Sequence, residues 1–178
     1  AMILQDSPLT AHEAFSLKEG SVFVVSGGTG GITGPVVLDL ARATRGTFYL
    51  IGRTPLVDGN DPDLRKLKSD RNAFKLELQE RLKASGEKVT PVQVELRLAS
   101  MDRVAATLQV IEKIRSIGGK ATYLQCDVTD AQAVAQIVDS IKLVEQKVDV
   151  LIHAAGMDKS RKIENKSLEE FMQVASVK

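Results

Sequence analysis

The 178-residue sequence contains no tryptophan, and aromatic side chains make up only 4% of it. Proteins that bind single-stranded nucleic acid stack bases on aromatic platforms, which this chain can scarcely build. An excess of either charge is also lacking: Lys and Arg number 24, Asp and Glu 23, and the formal net charge is +1. Neither nucleic acid nor an anionic membrane is therefore expected as a partner. A single cysteine, Cys126, excludes an internal disulfide framework and a cysteine-based zinc site. No metal is expected, and a lone thiol fits a reducing, cytoplasmic compartment. No window approaches the roughly 20 apolar residues of a membrane span. The N-terminus, with Asp6, His12 and Glu13, shows no signal pattern of basic and then apolar residues.

What is present is an ordinary globular composition, 43% hydrophobic and 26% charged, at a length that suits one domain with a sizeable core. Residues 1–20 have no clear period and read as a lead-in segment. Ser21–Ser26 is a short apolar run ending in glycines, as expected of a buried strand. In "GPVVLDLARATRG", Val36, Val37, Leu40 and Ala41 share a helical face, and Gly46 is positioned to stop the helix. "TFYLIG" is a second buried strand. After a turn-rich loop, Asp61 and Pro62 form a helix start, with Asp as cap and Pro at the first helical position. Leu64, Leu67, Phe74, Leu78 and Leu82 predict one amphipathic helix running to about Ser85, broken by "SGEKVTP".

A further helix, with Met101, Val104, Leu108, Ile111 and Ile114 as its stripe, ends at Gly118-Gly119. "ATYLQCDVTD" gives a third strand, and Val134, Ile137, Val138, Ile141 and Val144 mark the next helix. "VDVLIHAAG" is a fourth strand, continuous rather than alternating, as strands covered on both faces are. Ser167 and Glu170 of "SLEE" form a capping box opening a last helix, which the end of the chain cuts short. Strands alternating with helices predict an α/β fold with a doubly wound parallel sheet. Residues from 54 to about 98 exceed one crossover and read as an inserted helical segment.

Chemistry concentrates in "SGGTGGIT", residues 26–33, between the first strand and first helix. A helix opening after a glycine-rich turn presents unpaired N–H groups and a positive dipole end to an anion. Gly28 and Gly30 start a G-x-G-x-x-G pattern that Thr33 interrupts. The register T-G-x-x-x-G-x-G starts at Ser26-Gly27 and also lacks its final glycine. That last glycine serves helix–strand packing, not phosphate contact, so Thr33 threatens local packing more than anion binding, and Gly34 can relieve crowding. Taken alone, the loop reads either as a phosphate cradle or as a structural turn.

Arg53 follows the second strand, 25 residues after Gly28. A carboxylate near this point hydrogen-bonds the ribose hydroxyls of NAD, whereas an arginine accommodates the 2′-phosphate of NADP, by bidentate hydrogen bonding. Its bland alternative is a solvated surface arginine. Asp127 and Val128 end the third strand at the sheet edge where ligands bind, within reach of an adenine amino group and ring. Capping of the following helix suits Thr129 or Asp130 better than Asp127. Ala154, Ala155 and Gly156 end the fourth strand at the same edge, small enough for close backbone approach. His153 is read as structural.

Together "SGGTGGIT", "GRTPL", "GGKATYLQCDVTD", "VDVLIHAAG" and "SLEEFMQVASVK" resemble the short-chain dehydrogenase/reductase family. They are similar in particular to ketoreductase domains of type I polyketide and polyunsaturated fatty acid synthases. The resemblance runs from about Ser21 to Lys178, making 21–178 a partial NADP-binding domain of Rossmann type, cut after the fourth strand and its helix. A long segment between "GRTPL" and "GGKA" occurs in some of these ketoreductases, and part of the group tolerates threonine at the position of Thr33. The resemblance implies NADPH, bound by Gly27, Thr29, Gly30, Gly31, Ile32, Arg53, Asp127, Val128, Ala154, Ala155 and Gly156. It implies reduction of a β-ketoacyl thioester on an acyl carrier protein, beside other synthase domains. A tyrosine phenol protonates the developing alkoxide, helped by a serine and a lysine that lowers its pKa. Lys178 occupies the lysine's place, four residues after Val174 and seven after Phe171.

The chain's two tyrosines, Tyr49 and Tyr123, both fall in predicted strands and neither opens Y-x-x-x-N or Y-x-x-x-K. The segment is therefore expected to supply cofactor binding and to be inactive alone. A freestanding short-chain reductase of another carbonyl compound, and a non-catalytic module of the same fold, remain the alternatives.

Overall fold

Two of the apolar runs, those beginning at Val22 and Thr47, become strands with every central residue withdrawn from water. The computed structural model describes residues 17–85 and 90–177. Strand β1 (Val22–Ser26) is followed by helix α1 (Thr33–Thr44), β2 (Thr47–Gly52), α2 (Pro62–Ser69), α3 (Arg71–Ala84) and α4 (Pro91–Ser116). Then come β3 (Lys120–Gln125), α5 (Ala131–Val144), β4 (Val150–His153), a 3-10 turn at Ile163–Asn165 and α6 (Leu168–Ala175). All strand pairs are parallel and the sheet order is β3-β2-β1-β4. The order reverses at β1, so β1 and β4 flank the switch point where open α/β sheets bind ligands.

Alternating side chains of the strands divide the core in two. Phe23, Val25, Phe48 and Leu50 face α1 and α4, meeting Val37, Leu38, Ala41, Val110, Ile111 and Ile114. Val22, Val24, Tyr49 and Ile51 face the other way, toward Cys126 and Ile141 of the α5 side. The sheet is therefore doubly wound, as the alternation of strands and helices predicts. Among the described residues β4 pairs with β1 alone. Leu151 on it is 73% exposed, so β4 is covered on one face, unlike the two-faced burial expected of it. On α5, Val134 and Ile137 pack against the core while Val138 and Val144 face solvent.

The first helix differs from expectation in phase and in its stop. Leu38 is buried and Val36 is exposed, because the helix opens at Thr33 and turns its 34–37–38–41 stripe to the sheet. Arg45, not Gly46, takes the left-handed cap conformation, with φ 46°. Gly46 is needed for a different reason: a Cβ there would drive into the Ser21 carbonyl oxygen, which accepts from Thr47 N at 3.0 Å.

The single helix expected over 62–85 is two helices. Asp70 is extended (φ −149°, ψ 100°), ends α2 and caps α3, its carboxylate accepting from Asn72 N and Ala73 N. Both halves keep the predicted stripe: Leu67, Phe74, Leu78 and Leu82 bury against Val94 and Leu98 of α4 in a cluster of their own. Helix α4 runs unbroken from Pro91 through position 98, opened by a capping box between Thr90 and Gln93. The inserted helices thus pack on the same helix that crosses from β2 to β3. Asp70→Ala should cost about 1 kcal/mol, the usual loss for an N-cap. It should lower the urea midpoint without changing the denaturant slope.

Candidate functional site

A cleft of about 710 Å³ opens at the carboxyl ends of the strands, around the β1/β4 switch point. Into it converge Gly27, Thr29 and Gly30 after β1, Arg53 after β2, Asp127 and Val128 after β3, and Ala154, Ala155 and Gly156 after β4. Nine of the residues expected at the site therefore meet in one cavity. Gly31 and Ile32 do not line it, and Ile32 is 87% exposed at the start of α1. Lys178 lies outside the described residues, as do positions 1–16 of the lead-in. Helix α6 ends at Ala175, and Phe171 on it is 56% exposed.

The loop is built by backbone contact. Gly27 has φ +68°, and a Cβ on it would lie 2.7 Å from Ala154 O and 2.8 Å from Ala155 N. Gly27 N donates to Ile51 O (2.8 Å), and Ala154 N donates to Ser26 O (3.0 Å). The three strand ends are thereby tied at one level. Gly30 N then donates to Gly27 O, and Gly34 N to Gly30 O. Helix α1 begins with no side-chain cap on Ile32 and no acidic residue in its first turn, which leaves its positive end for an anion. Gly34, not Thr33, faces α4, where its Cβ position is 3.5 Å from Val110 Cγ2. Threonine at 33 therefore meets no packing obstacle.

Arg53 Nη1 stands 3.9 Å from Asp127 Oδ2, both side chains about half exposed. Such a pair is worth about 0–1 kcal/mol, so Arg53 can turn to a phosphate at little cost. The other Asp127 oxygen accepts from Thr129 N (3.0 Å) and Thr129 Oγ1 (2.8 Å). Those bonds hold the Asp127 carboxyl below its usual range, with Arg53 adding to the effect. It stays an ionised acceptor, suited to an amino group. The cap of α5 is Asp130, which accepts from Gln132 N and Ala133 N.

His153 Nε2 lies 2.8 Å from the Val177 carbonyl and Nδ1 2.7 Å from Ser26 Oγ. A carbonyl only accepts, so a neutral ring donates from Nε2–H to Val177, and its Nδ1 accepts a hydrogen bond from the Ser26 hydroxyl. The hydroxyl in turn accepts from Ala155 N at 3.4 Å. His153 is thus a tie between β1, β4 and the turn after α6. The tyrosines are tied as well. Tyr123 OH donates to Thr54 O at 2.8 Å, steadying the segment that carries Arg53. Tyr49 OH donates to Glu145 at 3.1 Å. Burial raises both phenols' pKa, with Glu145 raising that of Tyr49 further, opposite to what a proton-donating tyrosine needs.

Two residues that sequence reasoning missed, Ser100 and Arg103, also line the cleft. They come from α4, far from any strand end. Only the tertiary approach of α4 to the loop, through Thr107 and Thr29 (3.0 Å between hydroxyl oxygens), brings them in. No motif marks them.

Several solved structures share the fold. A ketoreductase from the macrolactin assembly line superposes with TM-score 0.61 at 19% identity, over 93% of this chain and 24% of that one. A ketoreductase domain from the bacillaene assembly line gives 0.60 at 23% identity, over 97% and 30%. Carveol dehydrogenase from Mycobacterium avium in complex with NAD gives 0.56 at 15% identity, over 89% and 44%. This chain therefore spans less than half the length of each. No curated protein matches the sequence. The KR domain model matches residues 21–178, from the entrance of β1 to the C-terminus. On that match the chain belongs to the KR domain family, the ketoreductase group of the short-chain dehydrogenases/reductases that its strand-end residues resemble.

Proposed function

We propose that this chain is the cofactor-binding part of an NADPH-dependent ketoreductase. In the whole protein the reaction is reduction of a β-ketoacyl thioester on an acyl carrier protein, beside other synthase domains in the cytoplasm. The observation that carries this reading is Arg53 in the same cleft as the Gly27–Gly30 turn that leads into α1. The residues present fit the cofactor. The α1 N-terminus and the Gly27–Gly30 turn take the diphosphate, Arg53 the 2′-phosphate, Asp127 and Val128 the adenine, and Ala154–Gly156 the backbone-lined approach to the nicotinamide. NADPH, when bound, supplies the hydride.

The chain's own residues orient that cofactor and exclude water from its diphosphate. Proton donation falls to a residue other than Tyr49 and Tyr123, whose hydroxyls are already engaged. Lys178 is the proposed lysine of the proton relay, and the chain alone is expected not to turn over substrate. In the intact protein Arg53→Ala should raise the Kd for NADPH about 10- to 100-fold, the value of a charge-assisted contact. NADH affinity should stay within about twofold. An unchanged NADPH affinity in a fluorescence titration would refute the 2′-phosphate assignment.

A further inference from the structure

Among the described residues, the charged ones lining the cleft are Arg53, Arg103 and Asp127. One carboxylate thus faces two guanidinium groups, and it already stands 3.9 Å from Arg53. Arg103 adds a positive charge that this pair leaves unbalanced. Its nearest acid in sequence is diverted, because Asp102 Oδ2 accepts from Arg71 Nε (3.3 Å) and Nη2 (3.1 Å) on α3.

The position of Arg103 is fixed by what lies one turn further along α4. Ser100, Arg103 and Thr107 fall three and four residues apart and share a helix face. Thr107 is 1% exposed. Its hydroxyl is 2.9 Å from Arg103 O and 3.0 Å from Thr29 Oγ1. The carbonyl can only accept, so Thr107 donates to it and Thr29 donates to Thr107. That chain fixes the Arg103 turn against the glycine loop. The other end of α4 is held by the inserted helices through Val94 and Leu98. The insertion is therefore the mount that carries Arg103 over the cleft.

We infer that Arg103 is a second specificity-determining cation for the phosphate monoester of the dinucleotide, acting with Arg53. This rests on the NADPH reading above and goes beyond it by giving the inserted helices a role in cofactor choice. A ribose phosphate monoester carries close to two charges near neutral pH, and Arg53 by itself is shared with Asp127. The diphosphate is assigned above to the glycine turn, whose Gly27, Thr29 and Gly30 line the cleft separately from Arg103. A guanidinium also takes two phosphate oxygens at once, which an ammonium cannot.

The test titrates NADPH, NADH, adenosine 2′,5′-bisphosphate and 5′-AMP against the intact protein. The proteins compared are wild type, Arg103→Ala, Arg103→Lys and Arg53→Ala, with urea midpoints and circular dichroism as checks of folding. Arg103→Ala should raise the Kd for NADPH and for the bisphosphate about 10-fold. NADH and 5′-AMP should move less than about twofold, and Arg103→Lys should lie between. Unchanged NADPH binding in Arg103→Ala, with Arg53→Ala still impaired, overturns the role of Arg103 alone. Equal losses for NADH and NADPH overturn it too, since they mark a diphosphate contact. A wild type that binds NADH as well as NADPH overturns the cofactor reading beneath it.

Discussion

Replacing Gly27 by alanine should destabilise the chain by about 3 kcal/mol or more and remove cofactor binding together with it. Two costs add. The residue has φ +68°, a left-handed conformation that charges a Cβ roughly 1–2 kcal/mol. The new Cβ would also lie 2.7–2.8 Å from three backbone atoms of Ala154 and Ala155, and backbone in a parallel ladder cannot step aside as a side chain does. Relief requires the β1 and β4 exits to part. That breaks the Ala154 N to Ser26 O bond and dissolves the floor of the cleft. Gly31→Ala is the matched control, since nothing stands within 4 Å of its Cβ position, and its stability should change by less than about 1 kcal/mol. Equal urea midpoints for Gly27→Ala and wild type would show that the strand ends yield freely.

The contrast between these glycines explains what could be read from the sequence. Four glycines in "SGGTGGIT" announce a turn and a phosphate, but not which glycine is held by sterics and which lies open. That depends on β4, which arrives more than a hundred residues later. Strands and the stripe of the inserted helices were legible because their periods are local: Phe23, Val25, Phe48 and Leu50 face one side whatever else happens. Arg53, Asp127 and Ala154–Gly156 were legible at the sheet edge because a parallel strand delivers its next residue to the same edge every time.

Features set by competition were not legible. The break at Asp70 sits within an apolar stripe that continues on both sides, so periodicity alone does not announce it. At the end of α1, Gly46 reads as the stop, but the left-handed turn falls on Arg45, and Gly46 is held instead by the close approach of Ser21. Among the described residues nothing covers Leu151, which stays 73% exposed outside the cluster on the α5 face, and an apolar run cannot announce that. Arg103 was hidden most completely. Its helix stripe is ordinary, and its function depends on a threonine pair, Thr107 and Thr29, joining elements 78 residues apart.

Phe48→Ala should be the most damaging single change in the core, at about 3–5 kcal/mol. Phe48 and Phe23 are both fully buried, sit opposite each other in the β1–β2 register, and stack with ring centroids 4.5 Å apart and planes 2° from parallel. Alanine removes the ring, leaves a cavity between the sheet and α1, and forfeits a ring pair worth about 0.5–1.5 kcal/mol beyond burial. Against a domain's usual 5–15 kcal/mol, this approaches the whole margin, so the folded fraction should fall measurably. Leu76→Ala, at a 65% exposed position, should move stability by less than about 0.5 kcal/mol. The cleft lies at the carboxyl ends of these same strands, so lost binding in Phe48→Ala should reflect unfolding and not altered contacts. NADPH at 100 times its Kd should then return about 2.7 kcal/mol by mass action, visible as a rise in the urea midpoint. Arg53→Ala should behave in the opposite way, with an undisturbed midpoint in the absence of cofactor and a much smaller rise when NADPH is added. A Phe48→Ala protein that stays folded yet gains nothing from saturating NADPH would separate the core from the cleft and contradict the shared-strand account.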